Sequence, residues 1–204
     1  ISASPNSRTP AKAQTLKRRQ YERKLNMLEK VAIETLQMNP VTKFGLEWAA
    51  LVSGSADALH DAMTISWGQM GSLWERRGDG TPHRGLSTVT VFVRPQRYTH
   101  ELMEHGDHFS VCFLGEGRRR ELGYLGAKSG RDGDKLGHLK LTAIELDEAC
   151  AIAESELVLT CKKLYAAPLV EEGFVDRRLI DDNYPQRDFH TVYVGEVLNV
   201  WKQA

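Results

Sequence analysis

The sequence predicts a mainly β protein with helices inserted between its strands, arranged as an antiparallel barrel and not as a βαβ sheet. Three observations predict it. Six runs carry strand patterning: EWAALVSG, AMTISWG, STVTVFV, FSVCFL, ELVLTCKKLYA and HTVYVGEVLNVW. Their spacing is short early and longer later, with helical inserts that set no strand–helix–strand rhythm. No apolar run approaches the roughly 18 residues that a membrane helix needs.

In chain order, residues 1–13, ISASPNSRTPAKA, lack periodicity and read as a flexible tail. From about Gln14 to Met38, Leu25, Leu28, Ala32 and Leu36 recur at three- and four-residue steps, which predicts a helix closed by Pro40. Its LKRRQYERK segment is basic. Residues 1–40 therefore divide into a tail and a basic amphipathic helix, and residues 41–204 form one domain. The helix has two readings: an arm toward nucleic acid or membrane, or a solvated face whose apolar stripe packs on the domain or a partner chain. The second is preferred, because no other basic patch with interleaved aromatics follows. Beyond Pro40, Glu47–Gly54 is a short apolar strand closed by glycine, and AMTISWG follows after a polar link. Ser87–Val93 is alternating and β-branched, and Phe109–Leu114 alternates again. RYTHELMEHG predicts a helix ended by Gly106, and GRRRELGYLGAKSG another before a glycine-rich turn. Glu156–Ala166 and His190–Trp201 close the set.

Bulk composition narrows the function classes. The 204 residues suffice for one domain with a real core, and Lys+Arg and Asp+Glu both number 27, so net charge draws the chain toward neither nucleic acid nor membrane. Cys112, Cys150 and Cys161 are widely spaced and form no metal-ligand pair; they read as reduced, buried thiols, and a reducing cytoplasm is the expected compartment. The chain begins with Ile1, which suggests a fragment or a processed form.

Four segments carry chemistry. In DAMTISWGQMGSLWERR, strand alternation puts Ala62, Thr64 and Ser66 on one face and Met63 and Ile65 on the other. The first face makes a shallow polar floor for a flat ligand, or else the solvent face of a barrel strand. In VRPQRYTHE a strand ends, Pro95 sets the turn, and a helix begins near Tyr98 or Thr99. Helix N-termini bind anions, and Arg94 and Arg97 flank this one. Thr99 reads as a cap or as a phosphate ligand. AKSGRDGDK matches neither a phosphate loop nor a calcium loop, and a surface turn remains open for it. In YPQRDFHTVYVGEV, Asp188 precedes His190 at a strand mouth, where a carboxylate can orient or charge an imidazole. No GxSxG, HExxH or GxGxxG occurs, which argues against a hydrolase triad, a zinc protease and a Rossmann site.

Taken together, AMTISWG, VFVRPQRYT, KSGRDGDK, CKKLYA and FHTVYVGEV resemble the flavin reductase-like family, in its flavoredoxin-type branch, over about Val41 to Val200. The resemblance implies an FMN-binding split barrel and a homodimer; the composition and motifs above argue against a metal, a membrane and a nucleic-acid partner. It implies hydride transfer from NADH or NADPH to flavin N5, or, as the alternative, non-catalytic flavin binding for carriage or sensing. Asp61, Ala62, Met63, Thr64, Ile65, Ser66, Trp67 and Gly68 would meet the flavin ring and ribityl chain. Arg94, Gln96, Arg97, Tyr98 and Thr99 would hold its phosphate, with Lys128, Ser129 and Gly130 closing over it. His190 would lie near flavin and nicotinamide as an orienting group. Trp67 or Trp74 would wall the ring, or lie in a dimer core. The family's expected Asn is Asp61 here. A carboxylate beside the flavin pyrimidine would disfavour the anionic reduced flavin, lowering its potential or weakening FMN affinity.

Overall fold

The computed structural model describes Arg19, residues 21–76 and residues 85–204. Ten strands occur among them: β1 (Leu28–Val31), β2 (Ala49–Gly54), β3 (His60–Ile65), β4 (Gly68–Leu73), β5 (Leu86–Val93), β6 (His108–Phe113), β7 (Ala143–Leu146), β8 (Ala149–Ile152), β9 (Leu157–Pro168) and β10 (Thr191–Gln203). The principal helices are α1 (Tyr98–His105), α2 (Arg119–Ala127), α3 (Lys135–His138) and α4 (Arg178–Asn183).

The main sheet runs β3-β2-β6-β9-β10-β5-β4, with β1 also on β10; β7 and β8 form a separate hairpin. The pairings are antiparallel. The two ends of this order, β3 and β4, are consecutive in the chain and joined only by Ser66 and Trp67. Three Cα steps span at most about 11 Å, so the sheet must curl until its ends meet. Among the described residues no ladder joins them, and the result is a split barrel. β10 makes the split possible: β9 runs along one edge, while on the other edge β5 pairs Thr191–Glu196 and β1 pairs Val200–Gln203.

Alternation along each strand separates two cores. Leu51, Met63, Ile65, Val89, Val91, Val111, Phe113 and Leu159 point into the barrel with Phe44 and Phe109. Ala50, Val52, Ala62, Cys112 and Val158 point outward and are covered by α2 and the β7–β8 hairpin. Each fully buried Leu, Val or Phe contributes about 1.5–3 kcal/mol relative to exposure. The three cysteines are free and buried in these cores. Gly195 lies at a register shift of β10, where a Cβ would sit 2.5 Å from the Phe109 ring; only glycine lets the long strand bend over that side chain.

The helix expected over Gln14–Met38 is corrected. Residues 1–18 and Gln20 lie outside the described set, helix is present at 21–25, and Leu28–Val31 is a strand. Leu28 and Val31 satisfy a helical spacing, but pairing with β10 supplies four residues of ladder that an isolated helix cannot offset. The helical piece packs on the domain: Tyr21 Oη accepts the Glu145 N–H at 3.0 Å, and Lys24 Nζ pairs with Glu154 at 2.5 Å. No described helix is long and apolar enough to cross a membrane.

Candidate functional site

The strand β5 ends at Val93, and the turn Arg94–Arg97 delivers the chain into α1. No side chain caps the N-terminus of α1; the His100 N–H donates to the Arg97 carbonyl at 3.0 Å, which leaves the Tyr98 and Thr99 backbone N–H groups without a partner in the helix. Arg97 is half-buried beside them. Burial lowers its pKa and the nearby Asp61 carboxylate raises it, leaving a cation. Its Nη2 donates to the Leu125 carbonyl at 3.3 Å, which ties α1 to the end of α2.

The loop after α2 folds onto the same point. Arg131 donates to the Gln96 carbonyl at 3.4 Å, and its guanidinium lies 5.0 Å from the Tyr98 ring centre. Ser129 caps the turn by accepting the Arg131 N–H at 3.2 Å. Gly130 is pressed against Asp61: a Cβ there would lie 2.3 Å from Asp61 Oδ1 and 2.7 Å from Tyr98 Cδ1. The Lys128 side chain is exposed. The structure thus brings Arg97, Tyr98, Thr99, Lys128, Ser129, Gly130 and Asp61 together at one place.

Several of these groups do a different job from the one expected. Asp61 and Lys135 form an ion pair of 2.8 Å with side chains only 3% and 4% exposed. The Thr99 hydroxyl donates to Asp61 at 2.6 Å and is fully buried, so it neither caps α1 nor reaches a ligand. The polar floor of β3 is also roofed. Ala62 is buried, and the Thr64 hydroxyl donates to the Leu122 carbonyl of α2. Met63 and Ile65 fill the barrel, as alternation requires. Gly68 has no space to offer, because its missing Cβ would fall 2.5 Å from the Phe44 ring. Ser66 and Trp67 remain open, Trp67 being 42% exposed.

A second cluster gathers around His190. Its ring packs 4.9 Å from Trp67 and 5.5 Å from Tyr184, and Nδ1 is 2.9 Å from the Tyr184 hydroxyl. Burial, then the Arg94 charge, pull its pKa down to about 4, so the ring is neutral at pH 7. The expected Asp188–His190 pair does not form. Asp188 instead accepts from Arg94 and, at 2.7 Å, from Gln96. Arg94 also donates to the Asn183 carbonyl at 2.7 Å. These two phosphate candidates are therefore occupied in bracing the strand mouth. Trp74 lies elsewhere, 6.3 Å from Tyr165. Sequence reasoning missed Lys135 and Tyr184. The Lys135 position, directly after the N-cap Asp134 of a short helix, signals only a surface turn.

Behind the ion pair lies a cavity of ≈ 370 Å³ lined by His60, Asp61, Ala62, Gly130, Asp134 and Lys135 among others. No group of three or more potential metal-ligating side chains occurs among the described residues.

Comparison with known proteins bears on the fold. The family model described as "Flavin reductase like domain" matches residues 87–204, more than half of the chain. A search of curated proteins finds no match. Among solved structures, the chain is similar to an FMN-binding domain of a flavin reductases-like enzyme from Shewanella baltica, with TM-score 0.56, 14% identity, and 86% and 77% of the two chains covered. It is also similar to flavoredoxin from Methanosarcina acetivorans (TM-score 0.55, 21% identity, 84% and 74% covered). A third neighbour is an FMN-binding protein from Thermus thermophilus (TM-score 0.55, 18% identity, 85% and 81% covered). The chain belongs to the flavin reductase like domain family.

Proposed function

Proceeding from that membership, we propose that the protein binds FMN and works as an NAD(P)H-dependent flavin reductase or flavoredoxin-like electron carrier. The observation that carries this reading is the uncapped N-terminus of α1 with the Arg97 cation beside it and the Lys128–Gly130 loop folded over it. The donor set suits a phosphate: the Tyr98 and Thr99 backbone N–H groups and one guanidinium, with Lys128 at the rim. Trp67 supplies an exposed flat face for the ring end.

When bound, FMN supplies the redox chemistry, taking a hydride at N5 from NADH or NADPH. The protein's contribution is position and polarity. His190 is neutral and orients, and does not act as an obligatory acid. Nδ1 shares its hydrogen bond with the Tyr184 hydroxyl, so Nε2 is the ring nitrogen left for a ligand. Arg94 and Gln96 act at one remove, by fixing Asp188 and the strand mouth on which His190 sits.

The same reading includes a homodimer. Leu73 (40% exposed) and Trp74 (48%) line the open edge of β4, a pattern that a second copy would cover. Light scattering on the purified protein measures this directly, and a monomer at micromolar concentration would end it.

The decisive experiment for function is anaerobic. The protein should quench FMN fluorescence on titration, and NADH or NADPH should then bleach the bound flavin. Absence of FMN binding would overturn the whole reading. Binding without bleaching would leave the non-catalytic carrier.

A further inference from the structure

We propose that Lys135 is a positioning residue: through its buried ion pair with Asp61 it holds residues 128–132 against the N-terminus of α1 and so completes the anion-binding half of the site. The inference rests on the reading of that half as an FMN phosphate site, but the device itself is visible without a ligand.

Asp61 is where three elements converge. It lies on β3, its Oδ1 meets Lys135 Nζ at 2.8 Å, and its Oδ2 accepts the Thr99 hydroxyl of α1 at 2.6 Å. Lys135 Nζ also donates to the Lys128 carbonyl at 3.3 Å, which pulls in the start of the loop. Gly130 sits directly on the carboxylate, closer than any residue with a Cβ could approach. A hydrophobic pair of the same volume would stabilise the fold as well or better, since removing two charges from water costs more than their attraction returns in many proteins. What a hydrophobic pair could not do is fix the register of the loop against α1 through directional bonds to three elements.

The charges add a second argument. Arg97 and Lys135 are both cations within the field of Asp61. One carboxylate between these two cations leaves one positive charge, and Arg131 beside Tyr98 is balanced by its ion pair with Glu101, so the uncapped helix end keeps the sign that a phosphate requires. The expectation that Asp61 faces the flavin ring is replaced: with a 3% exposed side chain under Gly130 and against Thr99, it acts on the ligand only through the loop and Arg97.

The test combines FMN fluorescence titration with hydrogen exchange of the flavin-free protein. In the wild-type protein, the Arg131, Asp132 and Gly133 amides, each hydrogen-bonded within the loop, should be protected without flavin. Exchange at the rate of an unstructured peptide would overturn the proposal whatever the variants do. Lys135→Met should weaken FMN binding on the order of tenfold or more and remove that protection, the scale of losing one charged buried partner. It should leave the exchange of β9 and β10 intact. The charge-balanced double variant Asp61→Asn/Lys135→Gln should recover both protection and an affinity within about threefold of wild type, because a neutral hydrogen-bonding pair can replace the clamp. A folded Lys135→Met variant with wild-type affinity would overturn the proposal. So would a double variant with a protected loop and lost affinity, since the charges would then act on the ligand directly. If wild-type protein binds no FMN, the functional reading fails while the exchange data still report on the clamp.

Discussion

Asp61 and Asp188 are both carboxylates held by cations, and both brace the segment that leads into α1. Asp61 reaches it through Thr99 and Arg97, Asp188 through Arg94 and Gln96. They differ in water. The Asp61–Lys135 side chains are 3% and 4% exposed, whereas those of Asp188 and Arg94 are 21% and 28% exposed. At Asp188 solvent can reach part of the side chain, although Oδ1 is buried without a partner. At Asp61 it cannot, so the residue that looks most like a ligand contact in the sequence is the one most bound up with the fold. The open chemistry lies with Trp67, His190, Arg97 and the backbone of α1.

The comparison can be broken experimentally, and the largest effect should come from the dry side. Asp61→Ala strands Lys135 in the interior and should destabilise the protein by about 3–5 kcal/mol in urea denaturation. A loss below about 1 kcal/mol would mean that the pair is solvated. Next is Gly130→Ala, where the added methyl meets the Asp61 carboxylate at 2.3 Å. A cost of about 1–3 kcal/mol is expected, read as a lower thermal midpoint. On the wet side, Asp188→Asn should cost only about 1 kcal/mol, with FMN affinity nearly unchanged. Matching losses at Asp61 and Asp188 would erase the distinction.

A separate expected effect is on pH dependence. The folded His190 has a pKa of about 4 against its ordinary 6.5, so the folded state binds fewer protons than the unfolded state as pH falls. Its stabilising contribution is complete above pH 6.5 and is lost as pH drops from there toward 4. Urea midpoints measured at pH 7 and pH 4.5 should show this limb in the wild type and a flatter one in His190→Gln. An identical slope in both would place His190 in open solvent.

Legibility followed local pattern. The six runs with strand patterning all became strands, because alternation and short apolar runs are properties of neighbouring residues. The start of α1 was readable from the Pro95 turn. β4 was not, since GQMGSL holds two glycines and a serine and forms a strand only by lying on β5. The β7–β8 hairpin turns at Asp147 with φ 56, and Asp–Glu is a weak turn signal. At the site, Arg97 beside the start of α1 was readable from the residues as a candidate anion site, while the Lys128–Gly130 loop read as a surface turn and was drawn to it only by the family resemblance. The true partners of Asp61 and His190 were not readable. Lys135 belongs to a residue type that is almost never fully buried, and nothing near it in the chain announces its carboxylate. Asp188 was the natural partner for His190 by spacing, yet Arg94 outcompetes a neutral imidazole for it.

The placement of β10 has a consequence for how the chain assembles. It is the latest strand in chain order, and it joins β9, β5 and β1, with Leu28 opposite Gln203. Until it arrives, β5–β4 and β9–β6–β2–β3 are two sheets with bare edges, tethered by a two-residue hinge at Ser66–Trp67. A growing chain therefore holds those edges unpaired until β10 has emerged, and completes its most distant contacts only then.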